Sequence, residues 1–221
     1  MILDNLDNYR IILASRSPRR QQMLQELGLT FDIVIKEYPE TFPEELDGKS
    51  IAEFISLQKA VSFRDTLSDK EIVITADTIV WCNNKVLGKP QDYSEAEYML
   101  REISGNTHEV ITGVTLLSCV KEKTFSVSSR VTFDHLSPEV ISYYINKYQP
   151  FDKAGAYGIQ EWIGLIACSR IEGSYFNVVG LPVRTLYKEL QEFLLYHSPP
   201  SERNTPHPPQ EGCPPTPLKG G

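Results

Sequence analysis

The chain has 221 residues, 41% of them hydrophobic, and a formal net charge of −7. That is enough apolar content for one sizeable core, and the acidic balance without any Lys/Arg-rich run excludes a general nucleic-acid-binding role. The start, MILDNLDNYR, has no basic or apolar signal region, and no apolar run is long enough to span a bilayer. Cys82, Cys119, Cys168 and Cys213 form no C-x-x-C pair and read as reduced thiols of a cytoplasmic protein. The four histidines show no metal-ligand spacing.

Strands and helices alternate along the chain. Tyr9–Ala14 reads as a buried strand, followed by a helix that Ser17 caps and Pro18 opens. Met23, Leu24 and Leu27 give that helix its apolar face, and Gly28 stops it. Phe31–Lys36 is the next strand. Ser50 and Glu53 stand at capping-box spacing and head a long helix. Glu71–Ala76 is a β-branched strand with Asp77 at its end, and the segment after it forms a hairpin turning at Asn83-Asn84. Ser94 with Glu97 heads another helix, closed by Gly105. Two long strand-like runs follow, 108–119 and 123–136. Ser137-Pro138 starts a helix, "AGAYGIQ" and "GLIACSRIEG" read as strands, and a Pro182-initiated helix runs to Leu195. There is no internal repeat. The pattern is one mixed α/β domain, residues 1–197, whose strands are not all parallel. Residues 198–221, rich in Pro and poor in large apolar side chains, read as a disordered tail.

The run "LASRSPRR" raises a chemical question. A helix start carries partial positive charge, yet Arg16, Arg19 and Arg20 crowd it. A bound phosphate at the helix N-terminus would explain them; solvated surface charge is the alternative. Ser15 lacks the G-x-S-x-G setting of a nucleophile and suits a hydrogen-bond donor to phosphate. Asp77 could ligate a metal or act as a general base on water. Lys89, between Gly88 and Pro90, can act as a point charge for phosphate. Glu40 lies in an acidic loop and could be a second metal ligand, with Glu37, Glu44, Glu45 and Asp47 as competitors. Lys59 sits on the long helix with a solvated surface as its default, and His108 has no nucleophile beside it in sequence. Gly155 and Gly158 fit tight backbone packing, and their spacing makes neither a dinucleotide fingerprint nor a Walker loop.

Taken in order, "LASRSPRR", "ADTIV", "LGKP", "THEVITGV", "KAGAYGIQ" and "NVVGLP" resemble the Maf family of nucleoside triphosphate pyrophosphatases, from about Ile11 to Leu195. The resemblance implies an elongated, ITPase-like α/β domain with a mixed twisted sheet flanked by helices and a central cleft. It implies cleavage of a nucleoside triphosphate between the α and β phosphates, with Mg²⁺ or Mn²⁺ as cofactor. Family roles carried over residue by residue make Asp77 the catalytic acid that activates water, and put Ser15, Arg20, Lys59 and Lys89 on the phosphates. Glu40, with Asp77, matches a metal ligand, although Pro39-Glu40 stands where members often have Asp-Glu. Arg19, Thr78 and Gln160 match the uridine/thymidine-type branch, implying dTTP and UTP as substrates. The methylated-guanosine branch has Trp, Gln and Glu at those places. A glutamine amide matches pyrimidine carbonyls, whereas a carboxylate suits the donor-rich guanine edge; because the amide can flip, Gln160 leaves cytosine open. Members are often homodimers, so a homodimer is among the expected states, with no nucleic-acid or membrane partner. The same chemistry on a modified purine nucleotide, and a nucleotide-sensing or division-regulating binding protein, are the competing readings.

Overall fold

The computed structural model describes residue 6 and residues 8–38 and 41–195. Glu40 and the Pro-rich segment from Ser198 lie outside the described residues.

The first unit is a strand, a helix and a short strand: β1 (Arg10–Leu13), α1 (Pro18–Glu26) and β2 (Asp32–Ile33). As the sequence predicts, Ser17 caps α1 by accepting from the Arg20 amide at 3.4 Å, and Gly28 ends the turn with φ +83°. β2 keeps only two residues of the predicted Phe31–Lys36 strand, because it pairs with the short β1 alone.

Helix α2 (Gly48–Val61) starts two residues before Ser50, with Asp47 in the cap position and no side-chain cap bond. Glu53 does not close a capping box; its carboxylate accepts from Ser126 Oγ at 2.6 Å. Strand β3 (Glu71–Cys82) is continuous through Asp77, which therefore lies in mid-strand and not at a strand end. The reason is pairing: residues 73–81 of β3 are bonded along one edge to β5 (Thr107–Leu117), with Asp77 opposite Gly113. Odd-numbered side chains (Val73, Thr75, Asp77, Ile79) face the α2 side and even-numbered ones (Ile72, Ile74, Ala76, Val80) the main core, so β3 is covered on both faces and its polar Thr75, Asp77 and Thr78 find partners there.

β3 turns at Asn83-Asn84, both at positive φ, into β4 (Lys85–Leu87), as expected for a two-residue hairpin. Helix α3 (Tyr93–Ile103) is capped by Asp92, which accepts from the Glu95 amide at 2.8 Å, rather than by the predicted Ser94 and Glu97. Glu97 instead pairs with Arg101 one turn along. β5 and β6 (Glu122–Phe133) form a long antiparallel pair, then come α4 (Pro138–Tyr148), α5 (Trp162–Ala167), β7 (Cys168–Glu172), α6 (Tyr175–Val179) and α7 (Val183–Leu195).

Two predicted strands are corrected. "AGAYGIQ" holds one 3-10 turn, Ala154–Ala156, with Gly155 at φ +69° and Ala156 at φ +58°, and is irregular after it. A side chain at Gly155 would stand 2.8 Å from Val80 Cγ2, so small residues let this loop lie flat on β3. "GLIACSRIEG" divides between helix α5 and strand β7.

The sheet order is β2-β1-β3-β5-β6-β7, with β4 on β3. β1 and β2 are parallel to their neighbours and the remaining pairs are antiparallel, giving a mixed sheet flanked by helices. One feature of the pairing creates the site. β1 covers the outer edge of β3 at residues 71–74 and β4 covers it at 80–82, so the stretch between them has no strand beside it. Among the described residues no helix is long and apolar enough to cross a membrane.

Candidate active site

A cleft of about 900 Å³ opens over that uncovered stretch of β3. It is lined by the β1–α1 turn, α2, β3, the loop after β4, residues 152–161 and residues 178–180. Ser15, Arg19, Arg20, Lys59, Asp77, Thr78, Lys89 and Gln160 all line it. This follows the rule that open α/β sheets bind ligands where neighbouring chains diverge beyond a strand end, here the end of β1.

Arg20 fills the gap left by β1. Its guanidinium donates to Ala76 O at 2.8 Å, to Gly180 O at 2.9 Å and to Thr78 Oγ1 at 2.9 Å. The planar fork thus joins α1, β3 and the end of α6, a job for which lysine has the wrong geometry. Thr78 is also engaged with Thr112 at 2.9 Å, so it holds Arg20 and its strand neighbour. Ser15 is buried, and its oxygen accepts from the Ser17 amide at 3.2 Å and from Arg20 at 3.4 Å. Two accepted bonds leave its O–H to donate. Arg16, in contrast, forms an exposed pair with Glu37 at 3.4 Å, worth little in water.

Asp77 and Lys59 form the charged centre. Lys59 Nζ donates to Asp77 Oδ1 at 2.6 Å, with both side chains largely buried. α2 carries Lys59 to that point because it lies directly on Gly113, the β5 partner of Asp77. Lys89, exposed at the cleft rim, is placed by the loop after β4, where Gly88 O accepts from the Gly155 amide at 3.0 Å.

Arg19 and Gln160 also line the cleft. Gln160 is exposed, and its amide makes no hydrogen bond to the described residues. Arg19 lies 3.8 Å from Asp152, and Asp152 is bonded to Lys153 at 2.7 Å. Burial alone would raise the Asp152 carboxyl, but Lys153, with Arg19 beyond it, holds it below the usual carboxylate range. Lys153 is 8% exposed and also meets Glu161 Oε1 at 3.0 Å, while Tyr144 OH donates to Glu161 Oε2. Sequence reasoning did not single out Asp152, Lys153 or Glu161. Their only signal was the acid–base–acid spacing around "KAGAYGIQ", which is common on solvated surfaces.

Behind Tyr157, which lines the cleft, His108 is buried against that ring and Phe133, with Nε2 2.8 Å from Tyr157 OH. Burial pushes the ring down to about 4, so it is neutral near pH 7. It is a core histidine, in keeping with its having no nucleophile beside it in sequence.

No group of three His, Cys, Asp or Glu side chains that could cage a metal exists among the described residues. The donor set nevertheless fits a hard divalent cation, which commonly takes one or two carboxylates and completes its shell with substrate phosphates and water. Asp77 supplies one such carboxylate, beside Lys59.

Comparisons with known proteins identify the family. The dTTP/UTP pyrophosphatase of Bacteroides thetaiotaomicron is 50% identical over 194 residues, covering 86% of this chain and 100% of that protein. That of Phocaeicola vulgatus is 49% identical over 192 residues, with the same coverage. That of Flavobacterium psychrophilum is 46% identical over 198 residues, covering 90% of this chain and 100% of its own. Among solved structures, the Ham1 protein of Staphylococcus aureus aligns with 84% of this chain and 98% of its own at 13% identity, with a TM-score of 0.48, too low to carry an argument. A family model described as Maf-like protein matches residues 10–193. The chain belongs to the Maf family.

Proposed function

We propose that the protein hydrolyses dTTP and UTP to the monophosphate and pyrophosphate. The observation that carries this reading is the convergence of Ser15, Arg20, Lys59, Asp77, Lys89 and Gln160, from segments far apart in sequence, on one cleft around a largely buried acid–lysine pair. Relatives near 50% identity bearing the name dTTP/UTP pyrophosphatase support the same substrates.

The triphosphate lies along the cationic side. Ser15 O–H donates to a phosphate oxygen, and Lys59 and Lys89 supply point charges. Arg20 keeps its fork on Ala76, Thr78 and Gly180, so it sets the shape of the phosphate seat and adds positive potential to it. Asp77, with Oδ1 held by Lys59, takes the proton of a water that attacks the α-phosphate as pyrophosphate leaves. Lys59 keeps that carboxylate oriented. A divalent cation held by Asp77, with Glu40 as the second expected ligand, would offset charge on the phosphates. Gln160 reads the base with its exposed amide, and Arg19 lines the same cleft.

The test is a mass-spectrometric assay of the purified chain with Mg²⁺ against dTTP, UTP, CTP, the purine triphosphates and methylated GTP, with Asp77→Asn in parallel. Monophosphate and pyrophosphate from dTTP and UTP, lost in the variant, is the expected result. Turnover of purines alone would overturn the base assignment. No turnover of any triphosphate, with Mg²⁺ or Mn²⁺, would overturn the enzyme reading.

A further inference from the structure

Glu161 raises a problem of recognition. It lines the cleft beside Gln160, at the wall that reads the base. An uncovered carboxylate there would accept a hydrogen bond from the 4-amino group of cytosine and would face the 4-carbonyl of uracil with like polarity. Its oxygens are not uncovered. Lys153 Nζ lies 3.0 Å from Oε1, and the fully buried Tyr144 donates its hydroxyl to Oε2.

Lys153 is itself fixed, 8% exposed and bonded to Asp152 at 2.7 Å. Tyr144 is fixed from behind, since its hydroxyl accepts from the Gly158 amide at 3.0 Å. Through Asp152 the network reaches Arg19 at 3.8 Å, so it touches two of the three residues assigned to base selection, Arg19 through that pair and Gln160 through its chain neighbour Glu161. Its charges, Arg19 and Lys153 against Asp152 and Glu161, balance. As a balanced set it adds no net charge to the part of the cleft where Lys59 meets Asp77.

We propose that Lys153, helped by Tyr144, is a specificity-positioning residue that covers the Glu161 carboxylate and thereby biases the cleft toward bases with a carbonyl, and against those with an amino group, at the edge being read. This inference rests on the pyrimidine triphosphatase reading above.

UTP and CTP are the matched probes, since they share ribose and triphosphate and differ at the 4-position. The full chain with Mg²⁺ is assayed for kcat and KM on both. The wild type favours UTP. Lys153→Met raises the CTP:UTP ratio of kcat/KM by about tenfold, chiefly through a lower KM for CTP, and Tyr144→Phe moves it the same way by a smaller factor. Adding Glu161→Gln to Lys153→Met returns the ratio toward the wild-type value, because the uncovered charge is gone. A residue that merely supports the fold would lower both substrates together and would show no such reversal. If Lys153→Met does not fold, Tyr144→Phe alone and combined with Glu161→Gln decides the matter. The proposal is overturned by equal use of CTP and UTP in the wild type, by an unmoved ratio in folded variants, or by a shift that Glu161→Gln leaves in place. A wild type inactive on UTP takes down the functional reading and this inference together, whereas UTP turnover with an unmoved ratio removes this inference alone.

Discussion

Replacing Gly113 by alanine separates two elements whose contact sets the site. Gly113 lies opposite Asp77 on β5, and helix α2 rests on it. A Cβ there would stand 2.1 Å from Ala52 O, 2.3 Å from Ala52 C and 2.7 Å from Glu53 N. The first of these is 1.3 Å short of the 3.4 Å at which ordinary contact begins. All three atoms are backbone in a packed helix, so no side chain can turn away, and close-packed interiors do not absorb such a clash locally. The helix must lift by about 1 Å, at a cost of about 1–3 kcal/mol for overpacking. At about 2–4 °C per kcal/mol for a domain of this size, the melting temperature falls by about 2–12 °C. Lys59 stands seven residues beyond Ala52, two turns along the same face, so it lifts with the helix and its 2.6 Å bond to Asp77 opens. A misplacement of about 1 Å at a reacting centre costs about 10²-fold in rate. Differential scanning calorimetry and UTP turnover on Gly113→Ala read both effects. A variant with wild-type melting and wild-type turnover would refute the account of how α2 delivers Lys59.

Three other outcomes are expected. Asp77→Asn keeps an acceptor for Lys59 but no base, so melting shifts by only a few degrees while kcat falls by about 10²–10⁴-fold; a variant with near-normal kcat would remove Asp77 from the chemistry. Arg20→Ala loses three bonds of 2.8–2.9 Å to Ala76, Gly180 and Thr78. With about 1.5–3 kcal/mol for a bond to a charged group and incomplete additivity, at least about 2 kcal/mol is lost. Arg20→Lys fails to restore it, because an ammonium cannot span the three acceptors; thermal melts decide, and wild-type melting in Arg20→Lys would count against the fork's role in joining α1, β3 and the end of α6. His108 is held down to about 4 from an ordinary 6.5 by burial. Between those values the unfolded chain takes up a proton that the native ring refuses, so this contribution is whole above pH 6.5 and is lost as pH falls toward 4. The loss is about 3 kcal/mol. Urea unfolding at pH 7 and pH 4.5 should show this slope in the wild type and its absence in His108→Gln.

Local chemistry in the sequence was most legible where one residue dictates a backbone conformation. Ser17-Pro18 opens α1, Gly28 and Gly105 close helices, Asn83-Asn84 turns the hairpin and Pro182 precedes α7, all as read. It was least legible where tertiary pairing decides. Asp77 looks like the end of an apolar run, yet β5 pairs with β3 on both sides of it, and no local signal announces that partner. Small residues in "AGAYGIQ" permit a strand or a tight turn, and contact with Val80 selects the turn. The candidate site was legible as a set of motifs through the family resemblance. Physical chemistry alone favoured a solvated role for Lys59 and offered no way to choose among the acids of the 37–47 loop. The Lys153 network was missed because its meaning depends on burial, which sequence spacing does not report.

The bond from Arg20 to Gly180 spans 160 positions of the chain. Before Gly180 can be offered, α6 must dock on the sheet through Asn177, which donates to Val110 O at 2.9 Å and to Ser129 Oγ at 3.1 Å and accepts at its carbonyl from Thr112. In chain order β1 through β6 all precede α6, so the third acceptor of the Arg20 fork comes from a segment far downstream of the other two. Contacts of such separation carry a large loop-closure cost. The fork therefore depends on the docking of α6: loosening the Asn177 anchors withdraws one of its three acceptors without touching β1 or β3.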